Sequence, residues 1–169
     1  MAKVPEAPRK RIVVVDDYPI VRQGVVELIN DSPGFTVVGE AEDVASALVI
    51  IEQQSPDMVV SDITLKNSSG IDLIRGISER WPEIPVMVFS MHDESFYAER
   101  VLRAGARGYV TKGDQSTRLI EGLGRLNDPI YIAAWQQEAA WQRGCLESVL
   151  GWSKQTLSDT RLRNSLLAG

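Results

Sequence analysis

The chain has 169 residues, 44% of them apolar and 24% charged, with a formal net charge of -5. That suits one domain of roughly 100–150 residues plus a short extra piece with a buried core, and it argues against disorder and against a broadly basic nucleic-acid surface. The single Cys145 excludes an internal disulfide, and no apolar run is long enough to span a bilayer, so a cytoplasmic protein with no membrane partner is expected.

The first stretch, MAKVPEAPRKR, lacks the apolar core of a signal peptide, and residues 1–10 are expected to form a flexible lead-in. Four apolar runs rich in β-branched residues follow at Ile12–Val15, Phe35–Val38, Met58–Val60 and Val86–Phe89, with a weaker fifth at Gly108–Thr111. The first and fourth are continuous, as in strands covered on both faces of a parallel sheet. Between the runs, Ile20–Asn30, Val44–Gln54, Gly70–Arg80, Phe96–Ala104 and Thr117–Leu126 carry apolar residues at the i, i+3, i+4 spacing of amphipathic helices. Ser32-Pro33-Gly34, Ser55-Pro56-Asp57 and Trp81-Pro82 break the chain before the second, third and fourth strands. Five strand–helix alternations predict an α/β fold: a doubly wound, five-stranded parallel sheet with helices on both faces.

Ligands in such sheets bind beyond the carboxyl ends of the strands. The first strand ends in Asp16-Asp17, the third in Asp62, the fourth in Ser90 and the fifth in Thr111-Lys112. Taken singly, each has an ordinary explanation: helix caps for the Asp16-Asp17 pair and the serine, a turn acid for Asp62, a solvated surface charge for the lysine. Together they place three carboxylates on one rim, where they repel one another and raise each other's pKa. A cation compensates, and hard oxygen ligands without a His or Cys set favour Mg²⁺ over zinc. Mg²⁺ beside a free carboxylate suggests phosphoryl transfer onto that carboxylate, with Ser90 and Lys112 meeting the phosphoryl oxygens. No P-loop or dinucleotide glycine pattern follows the first strand.

The segments VVVDDYPIVRQG, SDITLKNSSGIDLI and VMVFSMHDESFYAERVLRAGARGYVTK resemble the receiver domain of two-component response regulators, closest to the NarL/FixJ (LuxR-type) group. The likeness runs from about Arg11 to about Tyr131 and implies a flavodoxin-like receiver, with domain bounds of 11–127. By that resemblance Asp62 is the phospho-acceptor, Asp17 ligates Mg²⁺ directly, Asp16 acts through water, and the Thr64 carbonyl completes the ligands. Ser90 is then the switch hydroxyl, Tyr109 the switch aromatic and Lys112 the phosphate-binding lysine. Thr64 and His92 fall where such domains tune dephosphorylation, although the sole histidine is expected to be exposed and non-catalytic. Lys66 departs from the proline that the family often carries four residues after the acceptor. The resemblance also implies a sensor histidine kinase as phosphodonor, a homodimer, and no enzymatic activity beyond Mg²⁺-dependent self-phosphorylation and self-dephosphorylation.

Residues 128–169 are expected to form an atypical linker or helical tail, too short for the DNA-binding domain that regulators of the resembled group usually carry. Ala133–Arg143 reads as a helix stopped by Gly144, with Trp135 and Trp141 off any single stripe. Leu150–Arg163 faintly resembles a truncated helix-turn-helix, with Lys154, Arg161 and Arg163 able to meet phosphates; the simpler reading is a polar helix of no special role. Three readings stand: a phospho-accepting regulator with output through protein contacts, a transcriptional regulator binding DNA through the tail, and an aspartyl-phosphate phosphatase. The third lacks a second acid beyond Asp16 and Asp17.

Overall fold

The computed structural model describes residues 8–113 and 116–141. Branched side chains fit an extended backbone and pack on both faces of a pleated surface, so the Val and Ile runs become strands. These are β1 (Lys10–Val15), β2 (Phe35–Ala41), β3 (Met58–Ser61), a short pair β4 (Thr64–Leu65) and β5 (Ser68–Ser69), then β6 (Val86–Ser90) and β7 (Gly108–Thr111). The helices are α1 (Pro19–Asp31), α2 (Val44–Gln54), α3 (Gly70–Arg80), α4 (Glu94–Ala104), α5 (Ser116–Arg125) and α6 (Pro129–Trp141). The long strands form one parallel sheet in the order β2-β1-β3-β6-β7, the doubly wound arrangement expected.

Alternate residues of each strand feed opposite cores. On one face Ile12, Val14, Met87 and Val110 pack against Val25 and Ile29 of α1 and Leu119 and Leu123 of α5. On the other, Val13, Val15, Val59 and Val88 pack against α2, α3 and α4 through Ile51, Ile74, Ile77 and Val101. Pro19 opens α1, where its missing N–H costs nothing. Asp43, Ser69 and Asp93 cap the next three helices by accepting from the N–H groups of Ser46, Ile71 and Ser95. Gly105, at φ +111°, closes α4 in a conformation that suits glycine.

The structure departs from the sequence expectations at several edges. Lys10, assigned to the lead-in, belongs to the sheet: it pairs with Phe35, and its N–H donates to Gly34 O at 2.7 Å. β2 runs on to Ala41, whose carbonyl accepts from Asp16 N at 3.0 Å. The β4–β5 hairpin was not anticipated; it turns through Asn67 at φ +53°, a residue type that tolerates the left-handed region. α6 starts at Pro129, four residues before Ala133, because the Asp128 carboxylate caps it by accepting from Ile130 N at 2.9 Å. Among its described side chains Trp135 alone is buried, packed in one cluster with Val101, Ala104 and Tyr109, and its indole Nε1 donates to Glu94 Oε1 at 2.7 Å. Gly144, Cys145 and the Leu150–Arg163 segment lie outside the described residues.

Candidate functional site

The sheet order makes β1, β3, β6 and β7 consecutive neighbours, so their carboxyl ends share one rim. The chain leaves β1 toward β2 on one side and β3 lies on the other, which opens a crevice where the order reverses. The sequence-predicted residues converge there.

Asp62 follows β3, and its N–H donates to Val15 O at 2.9 Å, tying it to β1. Behind it sits Gly70, the first residue of α3. A Cβ there would lie 1.9 Å from the Asp62 carbonyl oxygen, so only glycine allows the helix to start so close. Asp62 Oδ1 accepts from Ile63 N at 2.6 Å, Ser90 Oγ at 2.6 Å and Thr64 N at 3.4 Å. Asp62 Oδ2 accepts from Lys112 Nζ at 2.6 Å, and the same ammonium reaches Asp16 Oδ2 at 2.5 Å. Lys112 is placed by its own N–H, which donates to Ser90 O at 2.8 Å beside the end of β6. Its side chain is only 6% exposed, so it is a buried bridge and not a solvated charge.

Asp16 is buried, and its second oxygen accepts from Tyr18 N at 2.9 Å. Burial raises its pKa above the ordinary carboxylate value, against the opposing pull of Lys112. For Lys112, burial acts to lower the pKa, but the bonds to Asp16 and Asp62 outweigh it and the ammonium is held above its ordinary value. Asp17 contributes the telling atom: its Oδ1 is buried and accepts no hydrogen bond from the described residues. An unsatisfied buried acceptor costs about 1–3 kcal/mol. One oxygen each from Asp16, Asp17 and Asp62 lie within 4.8 Å of one another. Three carboxylates face one ammonium, and the oxygen-only donor set fits Mg²⁺.

The remaining predicted residues flank this pocket. Thr64 is exposed, and its Oγ1 lies 2.9 Å from His92 Nε2. His92 is half-buried, not exposed as expected, because its ring also rests on Tyr97 at 4.7 Å between centroids. Tyr109 is buried, its hydroxyl donates to His92 O at 2.9 Å, and burial pushes its phenol well above the ordinary pKa. Ser90 thus faces Asp62, and Tyr109 lies inward. Lys66 has a role that proline could not fill. Its N–H donates to Glu42 O at 3.3 Å and its Nζ to Glu42 Oε1 at 3.0 Å, tying the acceptor loop to the loop after β2.

Residues 12–123 match the response regulator receiver domain family. The chain is 34% identical over 113 residues to the transcriptional regulatory protein DegU of Brevibacillus brevis, covering 67% of this chain and 48% of DegU. It is 31% identical over 120 residues to the nitrate/nitrite response regulator protein NarP of Escherichia coli, covering 71% of this chain and 56% of NarP. The fold is similar to the crystal structure of a LuxR-family two-component response regulator from Aurantimonas, with a TM-score of 0.70 at 35% identity over 80% of this chain and 99% of that one. The chain spans about half the length of the curated relatives it matches.

Proposed function

The chain belongs to the response regulator receiver domain family, and on that premise we propose that Asp62 accepts a phosphoryl group from a phosphohistidine of a sensor histidine kinase. The observation that carries this reading is the pocket itself: three carboxylates within 4.8 Å, one of them with an unsatisfied buried oxygen, bridged by a buried lysine.

Three donors already engage Asp62 Oδ1, which leaves Oδ2, held among the described residues by Lys112, as the nucleophile. The new O–P bond forms at Oδ2 as the donor's P–N bond breaks, and the imidazole keeps the electron pair. Lys112 stays charged and turns its ammonium to the incoming phosphoryl oxygens, and Ser90 Oγ shifts from the carboxylate to one of them. Asp17 and Asp62, the Thr64 carbonyl, and Asp16 through water would hold Mg²⁺, which supplies neutralisation of the charge on the transferring oxygens. Thr64 and His92, bonded across the mouth of the pocket, govern water's access to the aspartyl phosphate and so its self-dephosphorylation. Phosphorylation at Oδ2 adds acceptor oxygens beside the Oδ1 that Ser90 now bonds, and it therefore favours the inward arrangement of Ser90 and Tyr109 over an outward one.

The receiver occupies residues 11–127 and the tail residues 128–169, and the protein works in the cytoplasm. Among the described residues no helix is long and apolar enough to cross a membrane. DNA binding through the tail is the second reading, favoured by DegU's name as a transcriptional regulatory protein. Incubation with Mg²⁺ and acetyl phosphate, followed by intact mass, tests the first reading. A gain of about 80 Da, one phosphoryl group, is expected in wild type and not in Asp62→Asn; no gain in wild type, or an equal gain in both, refutes it. Mobility shift of promoter DNA by the full chain but not by residues 1–127 would support the second, and a homodimer formed on phosphorylation would favour output through protein contacts.

A further inference from the structure

The acidic turn after β1 is fastened at almost every polar atom of Asp16. Its N–H donates to Ala41 O at 3.0 Å, Oδ1 accepts from Tyr18 N and Oδ2 from Lys112. The carbonyl is the last group, and it accepts from Arg22 Nη1 at 2.6 Å. Arg22 stands in the first turns of α1 with a side chain 18% exposed, and its Nε donates to Glu40 Oε2 at 3.2 Å, near the end of β2. One planar fork therefore joins three elements at the rim of the pocket, which a point-charge lysine cannot do.

We propose that Arg22 is a positioning residue for cation binding: by fixing the Asp16–Asp17 peptide it sets the direction in which Asp17 Oδ1 faces the pocket. The Asp16 carbonyl belongs to the same rigid peptide unit as the Asp17 nitrogen. If that unit rotates, the Asp17 side chain swings with it, and its carboxylate leaves the cluster of three. The bond is short and charge-assisted, the kind strong enough to hold a turn against the repulsion of two adjacent acids. Glu40 completes the device. A guanidinium beside the pocket would repel a divalent ion, and the ion pair offsets that charge while leaving the fork in place.

This inference rests on the reading of the pocket as a Mg²⁺-dependent phosphorylation site, and its test separates the two. Mg²⁺ is titrated into the full chain while the backbone amides of Asp17 and Asp62 are followed by NMR. Charge alone predicts that Arg22→Gln, which removes a positive group, binds Mg²⁺ more tightly. Positioning predicts the opposite sign: both Arg22→Gln and Arg22→Lys bind more weakly, by about tenfold, the scale of losing a group that orients a metal ligand. In the phosphorylation assay the Mg²⁺ concentration for half-maximal rate rises by the same factor, and the rate at saturating Mg²⁺ recovers. Equal or tighter binding in folded Arg22→Lys overturns the proposal, and that variant decides the matter if Arg22→Gln does not fold. Absence of Mg²⁺ binding in wild type, or binding that survives in Asp17→Asn, overturns the reading of the pocket and Arg22's role with it.

Discussion

Asp17→Asn should stabilise the protein in a chelator and abolish its stabilisation by Mg²⁺. The substitution keeps the side chain's shape and one oxygen but removes a charge from a cluster of three carboxylates whose nearest oxygens lie within 4.8 Å. At that separation two unit charges repel by ~3.5 kcal/mol at an effective dielectric constant of ~20. Asp17 has two such neighbours, Asp16 and Asp62, while the Lys112 ammonium offsets part of the repulsion. Asp17 is only half-buried, so water screens more of it. A net gain of about 1–3 kcal/mol remains, equivalent to a melting temperature higher by about 2–4 °C per kcal/mol in a chain of this size. Wild type, in contrast, gains about 2.7 kcal/mol from Mg²⁺ at a hundred times its dissociation constant. Thermal melts of both proteins in EDTA and in saturating Mg²⁺ read the two effects together, and the stability gap should close or invert on adding the metal. A variant less stable than wild type in EDTA would show that the carboxylates are not in mutual repulsion. A variant that still gains from Mg²⁺ would show that Asp17 is not a ligand.

Gly70→Ala should cost about 1–3 kcal/mol by overpacking and sharply lower phosphorylation, because the new methyl meets the Asp62 carbonyl; urea unfolding and intact mass check both, and unchanged labelling refutes it. Trp135→Phe removes the bond to Glu94, and Trp135→Ala also removes the buried ring, so hydrogen exchange over residues 129–141 should rise in that order. Equal exchange in all three proteins would mean that α6 is held elsewhere. Burial raises the Tyr109 phenol above its ordinary 10.0, and the bonds to Asp16 and Asp62 raise Lys112 above 10.5 despite its burial. The folded state then keeps protons that the unfolded state sheds, so their stabilisation is complete below pH 10.0 and is lost as the pH rises through the folded values. Tyr109→Phe should flatten that alkaline loss in urea titrations, and an unchanged slope counts against it.

The pocket was legible because of where its residues stand relative to the strands. Asp16, Asp17, Asp62, Ser90 and Lys112 each end or directly follow an apolar run, and a parallel sheet places all such ends on one edge. Order along the chain therefore sufficed to bring them together. Contacts that depend on side-chain reach across the fold were not legible. The burial of Lys112 follows from β7 lying beside β6, and nothing in GYVTKG separates a bridge from a solvated lysine. The Thr64–His92 contact crosses 28 residues of sequence. Arg22 is a single charge within an amphipathic helix, the commonest of surface patterns, and only its position over the Asp16 carbonyl distinguishes it. Trp135 escaped for another reason: periodicity detects a stripe, whereas among the described side chains of α6 Trp135 alone is buried.

That anchor matters for how a phosphoryl group at Asp62 could be felt beyond the receiver. His92 lies between the two. Its N–H donates to Ser90 Oγ at 3.4 Å, its carbonyl accepts from Tyr109, and two residues further on Glu94 takes the indole of Trp135. Ser90 in turn bonds Asp62. A shift of the Ser90–Asp93 segment cannot move the partner of Tyr109 without also moving the partner of Trp135, because both hang from one short stretch of backbone. The two aromatics share the same packed cluster, so a new position for one changes the space left to the other. Under the proposed phosphorylation, α6 therefore senses the acceptor through a continuous set of contacts only a few side chains long. In the proposed switch the Ser90 hydroxyl and the Tyr109 ring are the elements that change arrangement, and α6 would follow them.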